Sequence, residues 1–201
     1  MASVTIAPKD VAELRARTGA GMMDCKRALE EAGGDMDKAV EILRKKGIAK
    51  AEKRAGRTAS QGLVVSYIHH NQQVGVLLEL NSETDFVARN QAFVQLAREI
   101  ALHIASADPM GVRPEDIPAE LLERERRIAE EQVAAEGKPE AVRAKIVEGK
   151  LKKFVAERTL LDQPYVRDDK ITVGELIKEV SGKLGEAITV RRFARFQIGA
   201  A

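Results

Sequence analysis

The stretch "GLVVSYIHHNQQVGVLLEL", residues 62–80, decides the fold class of this chain. Its two apolar halves are rich in β-branched residues and are joined by a polar segment, a pattern that predicts an antiparallel hairpin. The next stretch, "QAFVQLAREIALHIAS", residues 91–106, changes to a helical period. Its apolar residues recur at steps of three and four, so we expect them to form one face that packs on the hairpin. These residues are Phe93, Leu96, Ala97, Ile100, Ala101 and Ile104.

Three short helices are expected before the hairpin. The first covers residues 8–17, with Pro8 at a position where its missing N–H costs little, and the second covers residues 22–32. The third begins at Asp35, whose carboxylate can cap the free N–H groups of the first turn. The core candidates of this three-helix unit are Val11, Leu14, Met22, Ala28, Leu29, Ala39, Val40 and Leu43.

The C-terminal part of the chain predicts more helices and a third strand. Residues 118–136 and 139–160 are separated only by Gly137 and Lys138, which favours an antiparallel helical hairpin at about 118–160. Thr172 is expected to cap a last helix, and residues 186–199 should form a strand that joins the earlier hairpin. The predicted fold is therefore α+β. We expect a three-helix domain with a basic linker helix at 1–55 and an α+β core with a three-stranded antiparallel sheet at 56–201.

The composition excludes several classes of protein. Thirty-three Lys and Arg against 31 Asp and Glu give a net charge of +2, too little to hold a nucleic acid or an anionic membrane by overall field. The single cysteine, Cys25, allows neither an internal disulfide nor a multi-cysteine metal site, and suits a reducing compartment, by default the cytoplasm. There is no secretion signal and no apolar run of about 18 residues. We expect neither export nor membrane insertion.

Nothing in the sequence predicts covalent chemistry. His69 and His70 would point to opposite faces of a strand, which is poor geometry for one metal ion. "TGAGMMD", residues 18–24, has the glycines of a phosphate loop but lacks its GKS or GKT ending. No nucleophile motif occurs either. We therefore expect no catalytic residue, no metal site and no cofactor.

The segment "RKKGIAKAEKRAGR", residues 44–57, contains seven basic residues and one Glu. It could be a solvated helical extension, or it could bind RNA or the ribosome. Steeply salt-dependent RNA affinity that is lost when Lys45, Lys46 and Arg54 are neutralised would favour the second hypothesis.

The stretch "NSETDFVARN", residues 81–90, places Phe86 among polar neighbours between the second strand and the helix that follows. Ser82 is expected to cap a helix, with Asp85 three residues later in a capping-box arrangement. Phe86 does not continue the apolar stripe that begins at Phe93. The pattern leaves open whether Phe86 packs in the core or contacts a partner as an exposed aromatic anchor.

Four motifs, in order, resemble the bacterial translation elongation factor Ts family: residues 18–47, 67–90, 136–154 and 163–166. The most specific parts are "TGAGMMD" and "ETDFVARN". The resemblance implies a UBA-like N-terminal domain and a cytoplasmic guanine-nucleotide exchange factor without covalent chemistry. Its implied partner is elongation factor Tu, GDP-bound or nucleotide-free, with no direct binding of nucleic acid or membrane.

The resemblance also assigns site residues. Those carried over to the magnesium site of elongation factor Tu are Thr84, Asp85, Phe86, Val87 and Arg89. Those carried over to docking on its GTPase domain are Thr18, Gly19, Met22, Met23 and Lys26. His103 resembles a second contact with the partner, and it could equally be a helix histidine at a packing edge.

Longer members of that family carry two core subdomains, whereas this chain has one strand hairpin and one "TDFVAR". A homodimer would supply the second half. We expect it to assemble through the sheet edge and the strand "RRFARF", residues 191–196.

Overall fold

In the computed structural model, residues 6–54, 56–137 and 139–200 are described. The helices and strands, in chain order, are α1 Pro8–Thr18, α2 Met22–Glu31, α3 Met36–Glu52, β1 Gln61–Ile68, β2 Val74–Ser82, α4 Asp85–Ala88, α5 Gln91–Ala107, a 3-10 turn Pro114–Asp116, α6 Ala119–Ala135, α7 Glu140–Arg158, β3 Pro164–Tyr165, β4 Asp168–Thr172, α8 Val173–Leu184 and β5 Ile188–Gln197. The fold is a mixture of helices and a small antiparallel sheet, and the predicted α+β class is confirmed.

Two units interleave along the sequence. The first comprises Met1–Gly62, Asn81–Phe93 and Ile177–Thr189, and the second comprises Leu63–Leu80, Val94–Leu176 and Val190–Ala201. The expected domain bounds, 1–55 and 56–201, stay a prediction, and residue 55 lies outside the described residues.

The first unit contains the three predicted helices. Gly19 ends α1 in the left-handed region, at φ 68°, and its N–H donates to the carbonyl of Arg15 at 2.8 Å. The carboxylate of Asp35 caps α3 by accepting from the N–H groups of Asp37 and Lys38, at 3.1 and 3.0 Å. The predicted cap by Asp35 is confirmed.

The core of the three helices differs from the prediction at three positions. Val11, Leu14, Cys25, Ala28, Leu29, Ala39 and Leu43 are buried. Met22 is 49% exposed, so its assignment to the core is wrong: its spacing matches that of Cys25 and Leu29, but it is the first residue of α2 and lies at the end of that apolar stripe. Val40 is partly buried, and the sequence prediction missed Cys25.

Helices α3 and α8 meet at two glycines, both within the first unit. A Cβ at Gly182 would lie 2.7 Å from the carbonyl oxygen of Gly47, whereas a Cβ at Gly47 would meet nothing within 4 Å. Ion pairs flank this contact, between Arg44 and Glu179 at 3.5 Å and between Glu52 and Lys178 at 2.9 Å. The close approach thus requires glycine on α8 and tolerates a side chain on α3.

Gly182→Ala is expected to lower the free energy of unfolding by about 1–3 kcal/mol, because the added methyl group must displace backbone. Gly47→Ala is the matched control. It should be neutral or raise stability by up to about 1 kcal/mol, since glycine is a poor helix former. Urea unfolding followed by circular dichroism measures both, and equal stability of the two variants would contradict the close contact.

The three-stranded sheet has the order β1-β2-β5, so the C-terminal strand joins the hairpin as predicted. Helix α5 turns its predicted apolar face inward, and every one of the six predicted residues is at most 3% exposed. Thr172 caps α8 by accepting from the N–H of Glu175 at 3.1 Å, and the Glu175 carboxylate accepts in return from the Thr172 N–H at 2.9 Å. These predictions are confirmed. Strands β3 and β4 form a separate two-stranded sheet.

Helices α6 and α7 form the predicted hairpin. Its small core consists of Ala129, Val133 and Val147, with Ile146 and Leu151 packed against it. Ile128 and Val142 are exposed. Lys138, in the link, lies outside the described residues. Among the residues described, no helix has both the length and the apolar character that crossing a membrane requires.

Candidate functional site

Phe86 lies on a short turn that follows β2, which we call the exposed turn and define as residues 84–89. Its side chain is 83% exposed. Of the two possibilities that the sequence left open, core packing does not occur in this structure. Ala88, two residues later, is 8% exposed, and Val87 is half-buried. The turn is therefore anchored on one side and presents an aromatic ring on the other.

The cap of the exposed turn is Thr84, so the predicted capping box of Ser82 and Asp85 is wrong. Thr84 has extended backbone, and its Oγ accepts from the N–H of Val87 at 3.4 Å. Ser82 is still part of β2, fully buried, and its hydroxyl donates to the carbonyl of Thr84 at 2.9 Å. The strand runs two residues further than the capping pattern assumed, and this carries Ser82 inward.

Asp85 and Arg89 form an ion pair one helical turn apart, with 2.9 Å between the guanidinium and the carboxylate. Both side chains are solvated, at 52% and 81% exposed, so the pair contributes little to stability. The exposed turn thus offers a carboxylate, an aromatic ring and a guanidinium within five consecutive residues.

Two segments of the first unit are joined beside the exposed turn. The carboxylate of Glu186 accepts from both the N–H and the hydroxyl of Thr84, at 3.0 and 2.6 Å. In return, the carboxylate of Glu83 accepts from the N–H of Ala187 at 2.7 Å, and Arg57 lies 3.5 Å from the same carboxylate. Glu186 is not among the residues predicted from the sequence. No local signal marks it, because its partner is 102 residues away along the chain.

The second group of candidate residues lies where α1 passes into α2. The hydroxyl of Thr18 donates to the carbonyl of Leu14 at 2.7 Å and accepts from the N–H of Ala20 at 3.3 Å. Gly19 supplies the left-handed turn. Met22 and Met23 are 49% and 62% exposed. Adjacent exposed methionines form an adaptable apolar contact surface.

Charged residues surround the two methionines. The pKa of Asp24 is held below its usual value by hydrogen bonds from Lys50, at 3.0 Å, and from Arg27, at 2.6 Å. Lys26 lies 3.8 Å from Glu30 and is half exposed. Thr18 and Gly19 shape this segment, whereas the methionines and Lys26 face solvent.

His103 belongs to the second unit and is completely buried. Gln163 donates its amide N–H groups to the carbonyls of Ala107 and Glu157, so its oxygen faces His103 and accepts from Nε2 at 2.9 Å. The N–H of Val166 donates to Nδ1 at 3.3 Å. Of the two roles that the sequence left open, this geometry is that of packing. In this structure the imidazole is fully enclosed by the fold.

The surroundings of His103 favour the neutral ring. Burial lowers the pKa of His103, opposed in part by the hydrogen bond with Gln163. Both ring nitrogens are already used, one as donor and one as acceptor, so protonation would break the bond from Val166. Nearby, burial and then the hydrogen bond to Glu99 raise the pKa of the Tyr165 hydroxyl.

Acid should therefore destabilise the fold through His103. Since its pKa is lower when folded, the unfolded chain binds the proton more readily, and stability falls as the pH drops below about 6.5, the value for a free histidine. His103→Gln should weaken this dependence in urea unfolding measured at pH 7.5 and 5.5. His70→Gln, at an exposed histidine, is the matched control. An unchanged pH dependence in the His103 variant would contradict the assignment.

Four of the seven basic residues in segment 44–57 form ion pairs with neighbouring carboxylates. The pairs are Arg44 with Glu179 (3.5 Å), Lys46 with Glu31 (2.5 Å), Lys50 with Asp24 (3.0 Å) and Arg57 with Glu83 (3.5 Å). A nucleic-acid site needs cations that are free to meet phosphates. This arrangement favours the helical extension over an RNA-binding arm.

Comparison with known proteins gives a consistent result over nearly the whole chain. The family model described as "Elongation factor TS" matches residues 5–200. The chain is 53% identical over 194 residues to the elongation factor Ts of Fervidobacterium nodosum, covering 96% of this chain and 98% of that protein. It is 56% identical to that of Carboxydothermus hydrogenoformans, covering 94% and 87%, and 52% identical to that of Desulfosudis oleivorans, covering 97% and 98%.

Such identity, over almost the full length of both chains, accounts for the motifs as well as for the fold. The chain belongs to the elongation factor Ts family and acts in translation elongation.

Proposed function

We propose that this chain is a guanine-nucleotide exchange factor for elongation factor Tu. The observation that carries the proposal is the exposed turn: in a chain of this family, Phe86 is 83% exposed on a turn whose first residue, Thr84, is hydrogen-bonded to Glu186 and Val87. A large, solvated and rigidly presented aromatic ring is suited to fill a partner's pocket.

Exchange needs only differential binding. A factor that binds the nucleotide-free GTPase more tightly than its GDP complex must weaken GDP binding by the same free energy, and GTP in turn releases the factor. The chain itself breaks and forms no covalent bond in this scheme, so it acts without being an enzyme.

The exposed turn would act at the magnesium site of the GTPase. Phe86 and Val87 insert between the elements that hold the ion, while Asp85 and Arg89 contact polar groups at its edge and Thr84 caps the turn. Loss of the ion removes the largest positive charge beside the diphosphate, which weakens the hold on GDP.

The segment between α1 and α2 would provide a second contact, on the GTPase domain. Met22 and Met23 supply apolar surface and Lys26 supplies a cation, while Thr18 and Gly19 fix the backbone that carries them. His103 is not part of the proposed surface, because it is buried.

We further propose that two copies associate through the sheet edge formed by β5, which contains residues 191–196, together with the outer face of the three-stranded sheet. Val64, Ile68, Leu77 and Phe196 are 49–68% exposed. Ile68 and Gly75 lie on the same face of the sheet, because a Cβ added at Gly75 would lie 3.1 Å from the Ile68 side chain. Glu79, on β2 with Gly75, pairs with Arg192 of β5 at 2.7 Å. Alternation along the strands puts all four apolar side chains on that face. A second copy of the chain would bury them.

The function is tested by loading elongation factor Tu with fluorescent GDP, adding excess unlabelled GDP, and following release at several Mg²⁺ concentrations. Substoichiometric amounts of this chain should accelerate release, and the acceleration should be smaller at high Mg²⁺. An unrelated small GTPase is the control for specificity. Release that stays at its intrinsic rate would exclude the exchange function. Salt-dependent RNA binding would then favour the alternative function, in which the basic segment 44–57 binds RNA or the ribosome.

A further inference from the structure

We propose that Glu186 is a positioning residue for nucleotide exchange, acting through the exposed turn. This inference rests on the function proposed above and assigns a role to a residue outside both groups of contact residues. Glu186 lies in the loop between α8 and β5, 102 residues from the Thr84 that it contacts.

The exposed turn has few restraints of its own. Helix α4 has only four residues, and a single helical turn is unfavourable on its own because it fixes several dihedral angles for one hydrogen bond. Its cap bond, from the N–H of Val87 to Thr84 Oγ, is 3.4 Å long, beyond the usual range of about 2.7–3.2 Å. The carbonyl of Thr84 accepts from the Ser82 hydroxyl at 2.9 Å, but this bond leaves the N–H and the hydroxyl of Thr84 to be restricted from elsewhere.

Glu186 provides that restriction with both carboxylate oxygens. Oε2 accepts from the Thr84 N–H at 3.0 Å, and Oε1 accepts from the Thr84 hydroxyl at 2.6 Å. Hydrogen bonds to a charged acceptor are stronger than neutral ones. Because the hydroxyl gives its proton to Glu186, its lone pairs remain free to accept from Val87, as a helix cap requires.

The two segments hold each other reciprocally. The Glu83 carboxylate accepts from the N–H of Ala187 at 2.7 Å while Glu186 holds Thr84, so each segment offers one carboxylate to the backbone of the other. The hydroxyl of Ser181 donates to the Glu186 carbonyl at 2.5 Å and fixes that loop to α8. We call the group of Glu83, Thr84, Glu186 and Ala187 the clasp.

The clasp acts before the partner arrives. A turn that is already ordered loses little conformational entropy when Phe86 enters a pocket, whereas a loose turn must be ordered at that moment, at the expense of affinity. Loss of the clasp should therefore slow GDP release roughly tenfold, the size expected for losing hydrogen bonds to a charged group.

The test combines exchange with a local probe. The chain has no tryptophan, so Phe86→Trp introduces a single indole whose fluorescence anisotropy decay reports the mobility of the exposed turn in the free protein. Glu186→Ala should increase that mobility and slow the release of fluorescent GDP from elongation factor Tu. Compared with Glu186→Ala, Glu186→Gln should restore part of the order of the turn and part of the release rate. The amide oxygen of Gln can accept from the Thr84 N–H, but its NH₂ group cannot accept from the Thr84 hydroxyl. Glu41→Ala, at an exposed residue of α3, is the control.

A double-mutant cycle separates a positioning role from a general loss of structure. If Glu186 acts through Phe86, Glu186→Ala slows exchange in the native chain and has no further effect on a chain that already carries Phe86→Ala. Additive effects, or an unchanged anisotropy decay, would overturn the inference. If Phe86→Ala slows release while Glu186→Ala does not, the inference alone fails. If Phe86→Ala leaves release unchanged, the proposed role of the exposed turn fails, and the inference falls with it.

Discussion

Phe86→Ala is expected to slow the release of GDP from elongation factor Tu by about 10- to 100-fold at a fixed concentration of the factor. The reason is that truncating a central aromatic anchor of an interface removes both buried area and the group that displaces the partner's own contacts. The same change should alter the free energy of unfolding by no more than about 0.5 kcal/mol, because the ring is 83% exposed and packs on little. Stopped-flow fluorescence of labelled GDP and urea unfolding measure the two quantities.

Two further variants sharpen the result for Phe86. Phe86→Leu keeps an apolar side chain, so its rate of GDP release should lie between those of the native chain and of Phe86→Ala. Met110→Ala removes another exposed apolar side chain, 50% exposed and in the second unit, and should leave release unchanged. Equal rates for Phe86→Ala and the native chain would contradict the insertion of this ring into the partner.

Phe196→Glu should weaken association of two copies by about 100-fold or more, because an interface core does not tolerate an unpaired carboxylate. The residue is 68% exposed in the single chain, so the change should cost little folding stability. Light scattering and sedimentation equilibrium would show the native chain as a dimer and the variant as a monomer at the same concentration.

The control for this variant places the same charge elsewhere. Val142 is 42% exposed on the helical hairpin. Val142→Glu should leave the dimer mass that light scattering measures unchanged. If both copies of the dimer contact each GTPase, the monomeric Phe196→Glu variant should also lose exchange activity. A native chain that is monomeric by light scattering and fully active at that concentration would exclude the dimer.

Periodicity and capping chemistry predicted most of the fold. The strands at 62–80 and the helix at 91–106 follow from one residue pattern each, and Asp35, Gly19 and Thr172 mark helix ends by chemistry that acts within a few residues. Such signals are local, so a single sequence contains them. The α+β class follows from their order along the chain.

What the sequence did not predict depends on contacts between distant segments. Ser82 and Thr84 both have capping side chains, and only the inward pleat of β2 decides between them. Glu186 is an ordinary glutamate in sequence, because its role depends on Thr84. The burial of His103 likewise depends on Gln163, 60 residues away. Resemblance to a family pointed to Phe86, but it gave no indication of what holds the exposed turn.

The clasp joins two segments that the ribosome makes at different times. A ribosome adds about 5–20 residues per second, so the 102 residues between Thr84 and Glu186 take roughly 5–20 seconds to make. A helix or hairpin forms within microseconds. During synthesis, therefore, β2 and the turn after it exist for seconds before the carboxylate that orders Thr84 has been made. A nascent chain at that stage can contain every residue proposed to contact elongation factor Tu and still lack the ordered surface that the finished protein presents.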